Sequence, residues 1–242
     1  MPTPLTRLCG IAFACLWAAP VEAASLRVAP TTLDLPAPDS AATLNLRNED
    51  NRPINVQMRV FRWTQSGSAD RLESTADVVA SPPSQTLAPN ADYVVRVVRV
   101  GKQPVVDEES YRVVIDELPD PARRRPGVVN LALRYSVPVF FRAPDVRQAQ
   151  VSWTIGRSGN ALAVTARNTG QQRLKIADLK VTDGAGQSVP LGKGLVGYVL
   201  GNATMQWSFP AHGTNLSGRA VTLSAQSDAG QINATAAVQA GR

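Results

Sequence analysis

The chain has 242 residues, 25 of them lysine or arginine and 19 aspartate or glutamate, for a net charge of +6 and a pI near 9.8. One histidine and two cysteines leave little material for a transition-metal centre, and an aromatic content of 5 % does not suit a stacking surface for nucleic acid. The basic residues are scattered rather than clustered, apart from Arg123-Arg124-Arg125 in a Pro-rich loop, so they read as solvated surface and no nucleic-acid partner is expected.

Residues 1–23 read as a secretory signal peptide. Arg7 supplies the positive start, Leu8 to Ala19 is an apolar stretch too short to span a bilayer comfortably, and Val21-Glu22-Ala23 places small residues where a cleavage site needs them. The expectation is export with no membrane insertion of the mature chain. Both cysteines, Cys9 and Cys15, fall within this segment, so the mature chain has no thiol and must be held by its core alone.

From there the pattern is that of strands. Ala42–Leu46 alternates, and Ile54–Trp63 alternates over a long run with Ile54, Val56, Met58 and Val60 on one face. Tyr93–Val100 is β-branched, Tyr111–Leu118 and Val128–Phe141 follow, and Gly, Pro, Asn and Asp punctuate at short spacing. Near Arg142-Ala-Pro-Asp145 the composition turns to Gly, Ala, Asn and Gln, with shorter strands at Gln150–Ile155, Ala161–Arg167, Leu174–Val181 and Ala220–Ala225. The fold class expected is all-β, with one sandwich domain over 24–143 and a second over 144–242.

Catalysis finds no support. His212 stands alone in a turn-like Pro-Ala-His-Gly, no serine sits in a nucleophile elbow, and Asp116 and Glu117 are neighbours on a strand, so they point to opposite faces. No enzyme activity, metal or cofactor is expected. Trp63, Trp153 and Trp207 lie on different strands and read as core residues rather than a sugar-binding platform.

The segment Val128–Phe141 is the informative one. Val129, Leu131, Leu133, Tyr135, Val137 and Val139 share one face, while Asn130, Ala132, Arg134, Ser136 and Pro138 share the other. Pro138 would interrupt a central ladder, which suggests a strand with one open edge over part of its length. An exposed apolar edge either is covered within the fold or accepts a partner by strand addition; the segment alone leaves both readings open.

The chain resembles the periplasmic chaperones of chaperone–usher pili, in particular the archaic branch serving spore-coat-U-type pilins. Ser81–Val97 is similar to that family's double-proline turn and following strand, Glu109–Pro119 to its strand F, and Arg134–Phe140 to the end of its donor strand G. Asn48 and Arg59–Trp63 fit strands B and C, and Asn168-Thr-Gly170, Leu179–Val181 and Gly197–Gly201 are similar to the weaker signature of the second domain. The resemblance implies two immunoglobulin-like sandwiches in a boomerang arrangement, located in the periplasm. Its implied partners are pilin subunits, held by donor-strand complementation, and an outer-membrane usher that receives them. On matching positions the donated side chains are Val129, Leu131, Leu133, Tyr135 and Val137, each worth roughly 1.5–3 kcal/mol if fully buried in a partner. The same exposed strand also offers a route to self-association.

The family anchors the pilin's terminal carboxylate with basic residues in the cleft between the domains. Where its better-known branch carries an arginine on strand A and a lysine on strand G, this chain has Pro30 and Pro138. The resemblance to the archaic branch therefore implies Arg112 as principal anchor and Arg134 as second candidate, against the plainer reading of both as partners of Asp116 or Glu117. The loop Asp120–Gly127 is expected to order on a subunit. The competing function is a secreted adhesive or carbohydrate-binding sandwich.

Overall fold

A computed structural model describes residues 26–119, 132–183, 186–211, 216 and 218–239, and every regular element among them is a strand. Val129, Leu131, His212 and the Asp120–Gly127 loop lie outside the described residues.

Ten strands build the first sandwich. One sheet joins β1 (Leu26–Ala29), β3 (Ala41–Asn48), β8 (Asp92–Arg99) and β6 (Val78–Ser81) in that order. The other runs β2 (Leu33–Pro36), β10 (Arg134–Arg142), β9 (Glu108–Leu118), β4 (Ile54–Ser66), β5 (Ala69–Ser74), with β7 (Ser84–Leu87) also on β4. Period-two alternation decides which side chains meet between the sheets: Leu44 and Leu46 of β3, Ile54, Val56 and Met58 of β4, and Tyr111, Val113 and Ile115 of β9 are all buried there.

The first edge of the sequence feeds both sheets. β1 pairs antiparallel with β3, then β2 crosses to pair parallel with β10. Pro30, between them, has no N–H with which to extend the ladder of β1. The crossing has a consequence for β10. β2 reaches only Val139–Arg142, whereas β9 covers the whole of Arg134–Arg142. Among the described residues, Arg134–Pro138 therefore has a strand on one side and none on the other.

Eight further strands, β11 (Val151–Ser158), β12 (Ala161–Asn168), β13 (Leu174–Thr182), β14 (Ser188–Pro190), β15 (Leu195–Val199), β16 (Thr204–Pro210), β17 (Ala220–Ser227) and β18 (Gly230–Gln239), make the second sandwich. Their hydrogen bonds are continuous in the order β14-β13-β17-β18-β11-β12-β16, with β15 on β13. The sheet folds over a core of its own that includes Ile155, Leu162, Val164, Ile176, Val181 and Leu223.

Each sandwich fixes one corner with an asparagine. Asn48 Nδ2 donates to the carbonyls of Arg52, Leu87 and Ala88 at 2.7, 3.1 and 3.1 Å, and its Oδ1 accepts from Asp50 N at 2.9 Å. Asn168 repeats the device, donating to Gln172 O and Leu200 O and accepting from the amides of Gln150 and Gly170. Asn48→Ala strands these carbonyls and is expected to cost about 2–3 kcal/mol, read as a lower urea midpoint at unchanged m-value.

The two sandwiches meet through a small apolar cluster of Trp63, Phe140, Tyr198 and Leu200. Trp63 lies 5.5 Å from Tyr198, edge to face, and 5.9 Å from Phe140. Gln65 adds a strand-like clamp: its Nε2 donates to Tyr198 O and its Oε1 accepts from Leu200 N, both at 2.9 Å. Beside the cluster Arg173 of the second sandwich, 3 % exposed, pairs with Glu108 of the first and stacks over Phe140 at 3.6 Å. The reading of Trp63 as a core residue holds, in the cluster at the junction, where its parity on β4, opposite to that of Ile54, Val56 and Met58, directs it. Trp153 is in the second core, with Trp207 packed against it.

Candidate binding site at the sandwich junction

The outward face of the second sheet carries the side chains that the core does not use. On β9 these are Arg112, Val114 and Asp116; on β10, Arg134, Ser136, Pro138 and Phe140; on β4, Arg59, Phe61 and Trp63. Register sets Arg112 between Pro138 on one side and Phe61 on the other.

Arg112 lies flat on Trp63, with its guanidinium carbon 3.7 Å from the ring centre, and is 5.6 Å from the ring centre of Tyr198. Among the described residues its one hydrogen bond is a long one, from Nη1 to Ser136 O at 3.4 Å. Among the described residues no carboxylate pairs with it. Burial pulls its pKa below the ordinary arginine value, and the Tyr198 phenol and Asp70 carboxylate oppose that pull. Asp70 makes no hydrogen bond to it among the described residues: the Oδ1 of Asp70 accepts from Trp63 Nε1 and Gln65 Nε2, each at 2.9 Å. A guanidinium stays charged under such conditions, so the site is a half-buried cation without its anion.

Arg134 is differently placed. It faces Asp116 across the β9–β10 ladder and donates Nε to Asp116 Oδ1, while Arg59 Nη2 donates to Asp116 Oδ2 at 2.7 Å. The side chain of Arg134 remains 67 % exposed, so this pair is screened and worth little to the fold. Burial raises the Asp116 carboxyl, but the hydrogen bonds and charges of Arg134 and Arg59 outweigh it and hold the group below the usual carboxylate range. A carboxyl depressed in the folded state stabilises above its unfolded pKa, about 3.9, and that contribution is lost as pH falls through the lower folded value. The deficit of Asp116→Asn, measured by urea unfolding, is therefore expected at neutral pH and should shrink on acidification.

Of the donor-strand candidates, Leu133 and Tyr135 are half-buried against the first core, and Tyr135 donates its hydroxyl to Leu26 O, bridging the two sheets at the open edge. Val137 is 4 % exposed and belongs to that core. The face expected to enter a partner is thus the face that fills its own sandwich towards Phe141, and it emerges from it towards Leu133. Glu117 N donates to Leu133 O at 2.9 Å, carrying the pairing with β9 one step past the strand end.

The family resemblance assigned Arg112 and Arg134 to the cleft, but sequence reasoning missed Trp63, Tyr198 and Arg173 as neighbours of that site. Parity would have found Trp63 and Phe140, each out of phase with the core residues on its strand. Tyr198 and Arg173 come from the other sandwich, and no local pattern assigns them.

Two immunoglobulin-like sandwiches joined at a small apolar cluster, with an open strand edge on the first, define a two-domain β-sandwich protein. Residues 25–146 match the family of pili and flagellar-assembly chaperones through its PapD N-terminal domain, and the chain belongs to that family, one of chaperones rather than enzymes. No curated protein matches the chain. In fold it is similar to a chain of the CsuC–CsuE chaperone–tip adhesion subunit pre-assembly complex from archaic Csu pili of Acinetobacter baumannii (TM-score 0.67, 21 % identity, 90 % of this chain and 100 % of that one). It is also similar to a chain of the Salmonella enterica SafA pilin–SafB chaperone complex (0.62, 24 %, 89 % and 98 %) and to the E. coli chaperone DraB (0.58, 22 %, 87 % and 97 %).

Proposed function

We propose that this chain is a periplasmic chaperone that holds pilin subunits by donor-strand complementation and delivers them to an outer-membrane usher. The observation that carries the reading is the pairing of an open strand edge, Arg134–Pro138, with a cation on the next strand, Arg112, that has no carboxylate among the described residues. A subunit lacking a strand would add to the edge, its backbone taking up the free N–H and C=O groups. Its terminal carboxylate would reach Arg112, where two parallel charge-assisted hydrogen bonds fit a guanidinium. The apolar side chains offered are Val129, Leu131, Leu133 and Tyr135. Val137, held in the chaperone's own core, marks where donation ends. Arg134 is the second cation, already paired with Asp116. The signal-peptide pattern of residues 1–23 supports export. The archaic-branch reading draws on strand F, where the charge sits on Arg112 while positions 30 and 138 are proline. Solved relatives in fold include complexes of chaperones with a tip subunit and with a pilin.

Co-expression in a periplasm with the pilin-like protein encoded beside it tests the reading. The expected result is a stoichiometric complex that survives affinity purification and is lost in Leu133→Asp. Well-folded chaperone that retains no subunit would return the chain to the adhesive or carbohydrate-binding reading, for which retention on a glycan column is the corresponding assay.

A further inference from the structure

We propose that Tyr198, on the second sandwich, completes the carboxylate receptor: its hydroxyl donates a hydrogen bond to the carboxylate that Arg112 holds, so the anchor is built from both sandwiches. The inference rests on the reading of Arg112 as anchor and adds a residue to it.

Tyr198 is 4 % exposed, yet its hydroxyl makes no hydrogen bond among the described residues. The hydroxyl is not one of the fully enclosed unpaired atoms, among which the described residues show only Arg173 Nε, so it reaches solvent and is open to an incoming acceptor. The Arg112 guanidinium carbon lies 5.6 Å from the Tyr198 ring centre. Both groups share the Trp63 indole, Arg112 stacked 3.7 Å above the ring and Tyr198 set edge-on at 5.5 Å and 87°. A planar charged donor and a phenol hydroxyl thus flank one indole, and among the described residues neither has a carboxylate hydrogen-bonded to it. A carboxylate has the two oxygens such a pair can share.

The position is held rather than merely occupied. Gln65 bonds the backbone on either side of Val199, through Tyr198 O and Leu200 N. Gly201 allows the same segment to press against the chain at Gln171, where a Cβ would lie 2.1 Å from the carbonyl oxygen. Asn202 N then donates to Gly170 O at 2.9 Å. Tyr198 is fixed by contacts from both sandwiches before any ligand arrives, which spares the ordering cost of a mobile side chain.

The test uses an N-acetylated hexapeptide of alternating valine and threonine with a free C-terminal carboxylate, and its C-terminal amide. Each is titrated into the ¹⁵N-labelled protein, following the Arg112 Nε–H and Trp63 Nε1–H signals. The wild type should prefer the carboxylate peptide. Tyr198→Phe keeps the ring and its packing, and should lower carboxylate affinity roughly tenfold, the size of one hydrogen bond to a charged group, while leaving amide affinity unchanged. Arg112→Ala should abolish the preference. If Arg112→Ala removes the preference and Tyr198→Phe keeps it in full, Tyr198 is not part of the receptor and Arg112 remains the anchor. If the wild type itself does not distinguish carboxylate from amide, the anchor reading falls and this inference with it.

Discussion

Arg173→Met is expected to destabilise the protein by about 3–5 kcal/mol, because it leaves the Glu108 carboxylate buried without its cation. Glu108 is 1 % exposed at its side chain, accepts from Arg173 N at 2.9 Å, and pairs with the guanidinium of the same residue. The guanidinium also lies 3.4 Å from Asp34 and 3.5 Å from Asp228, so one side chain gathers carboxylates from β9, β2 and the β17–β18 turn. Burial pushes the Glu108 carboxyl up, and Arg173 opposes that push. Removing the guanidinium leaves burial and the charge of Asp34 pushing up, against only the backbone amide at 173, so the carboxyl of the variant rises further. For a group whose folded pKa is raised, stability is greatest below the unfolded value and falls as pH rises through the folded one. The deficit of Arg173→Met should therefore be largest at neutral to alkaline pH and smaller in acid. Adding Glu108→Gln removes the stranded charge and should recover much of the loss, a coupling that urea unfolding of the two single variants and the double variant measures directly.

The second large effect falls on binding. Arg112→Ala is expected to weaken subunit capture by about 2–5 kcal/mol, the cost of removing one partner from a desolvated charge pair. The free protein should lose little, since Arg112 has no carboxylate partner among the described residues and its contribution to the fold is its stacking on Trp63, about 1–2 kcal/mol. Arg134→Ala should leave both near wild type: capture because Arg134 is already paired with Asp116, and the fold because that exposed pair is worth little. Affinity pull-down of co-expressed subunit, with circular dichroism melts of each free variant, separates the two arginines. Equal losses from both would mean that the anchor is a shared basic surface and not a single site.

The fold was legible because alternation is a local property. The buried phase of β4, with Ile54, Val56 and Met58, and the inward face of β10, with Val137 and Val139, can be read residue by residue. The open edge was legible in part: Pro138 signalled an interrupted ladder, but that β2 stops covering β10 at Val139 follows from where β1 leaves the other sheet, which no periodicity encodes. Arg112 entered through resemblance, and its surroundings did not. The core reading of Trp63 holds, while its parity, opposite to that of the buried residues of β4, marks it for the junction. Tyr198 and Arg173 sit more than sixty residues from Arg112 and Glu108 and reach them only through the packing of one sandwich on the other. The candidate site is a surface made by tertiary contact, and its second half is invisible to any window of sequence.

Strand lending is tested most directly by hydrogen exchange. Backbone amides of residues 133–137 would be compared between the free protein and the co-purified complex with a pilin subunit. Addition of a subunit strand to the open edge predicts slowed exchange in this segment, with β1 and the second core unchanged. Exchange in 133–137 as fast in the complex as in the free protein would show that the subunit docks elsewhere, and would contradict the account.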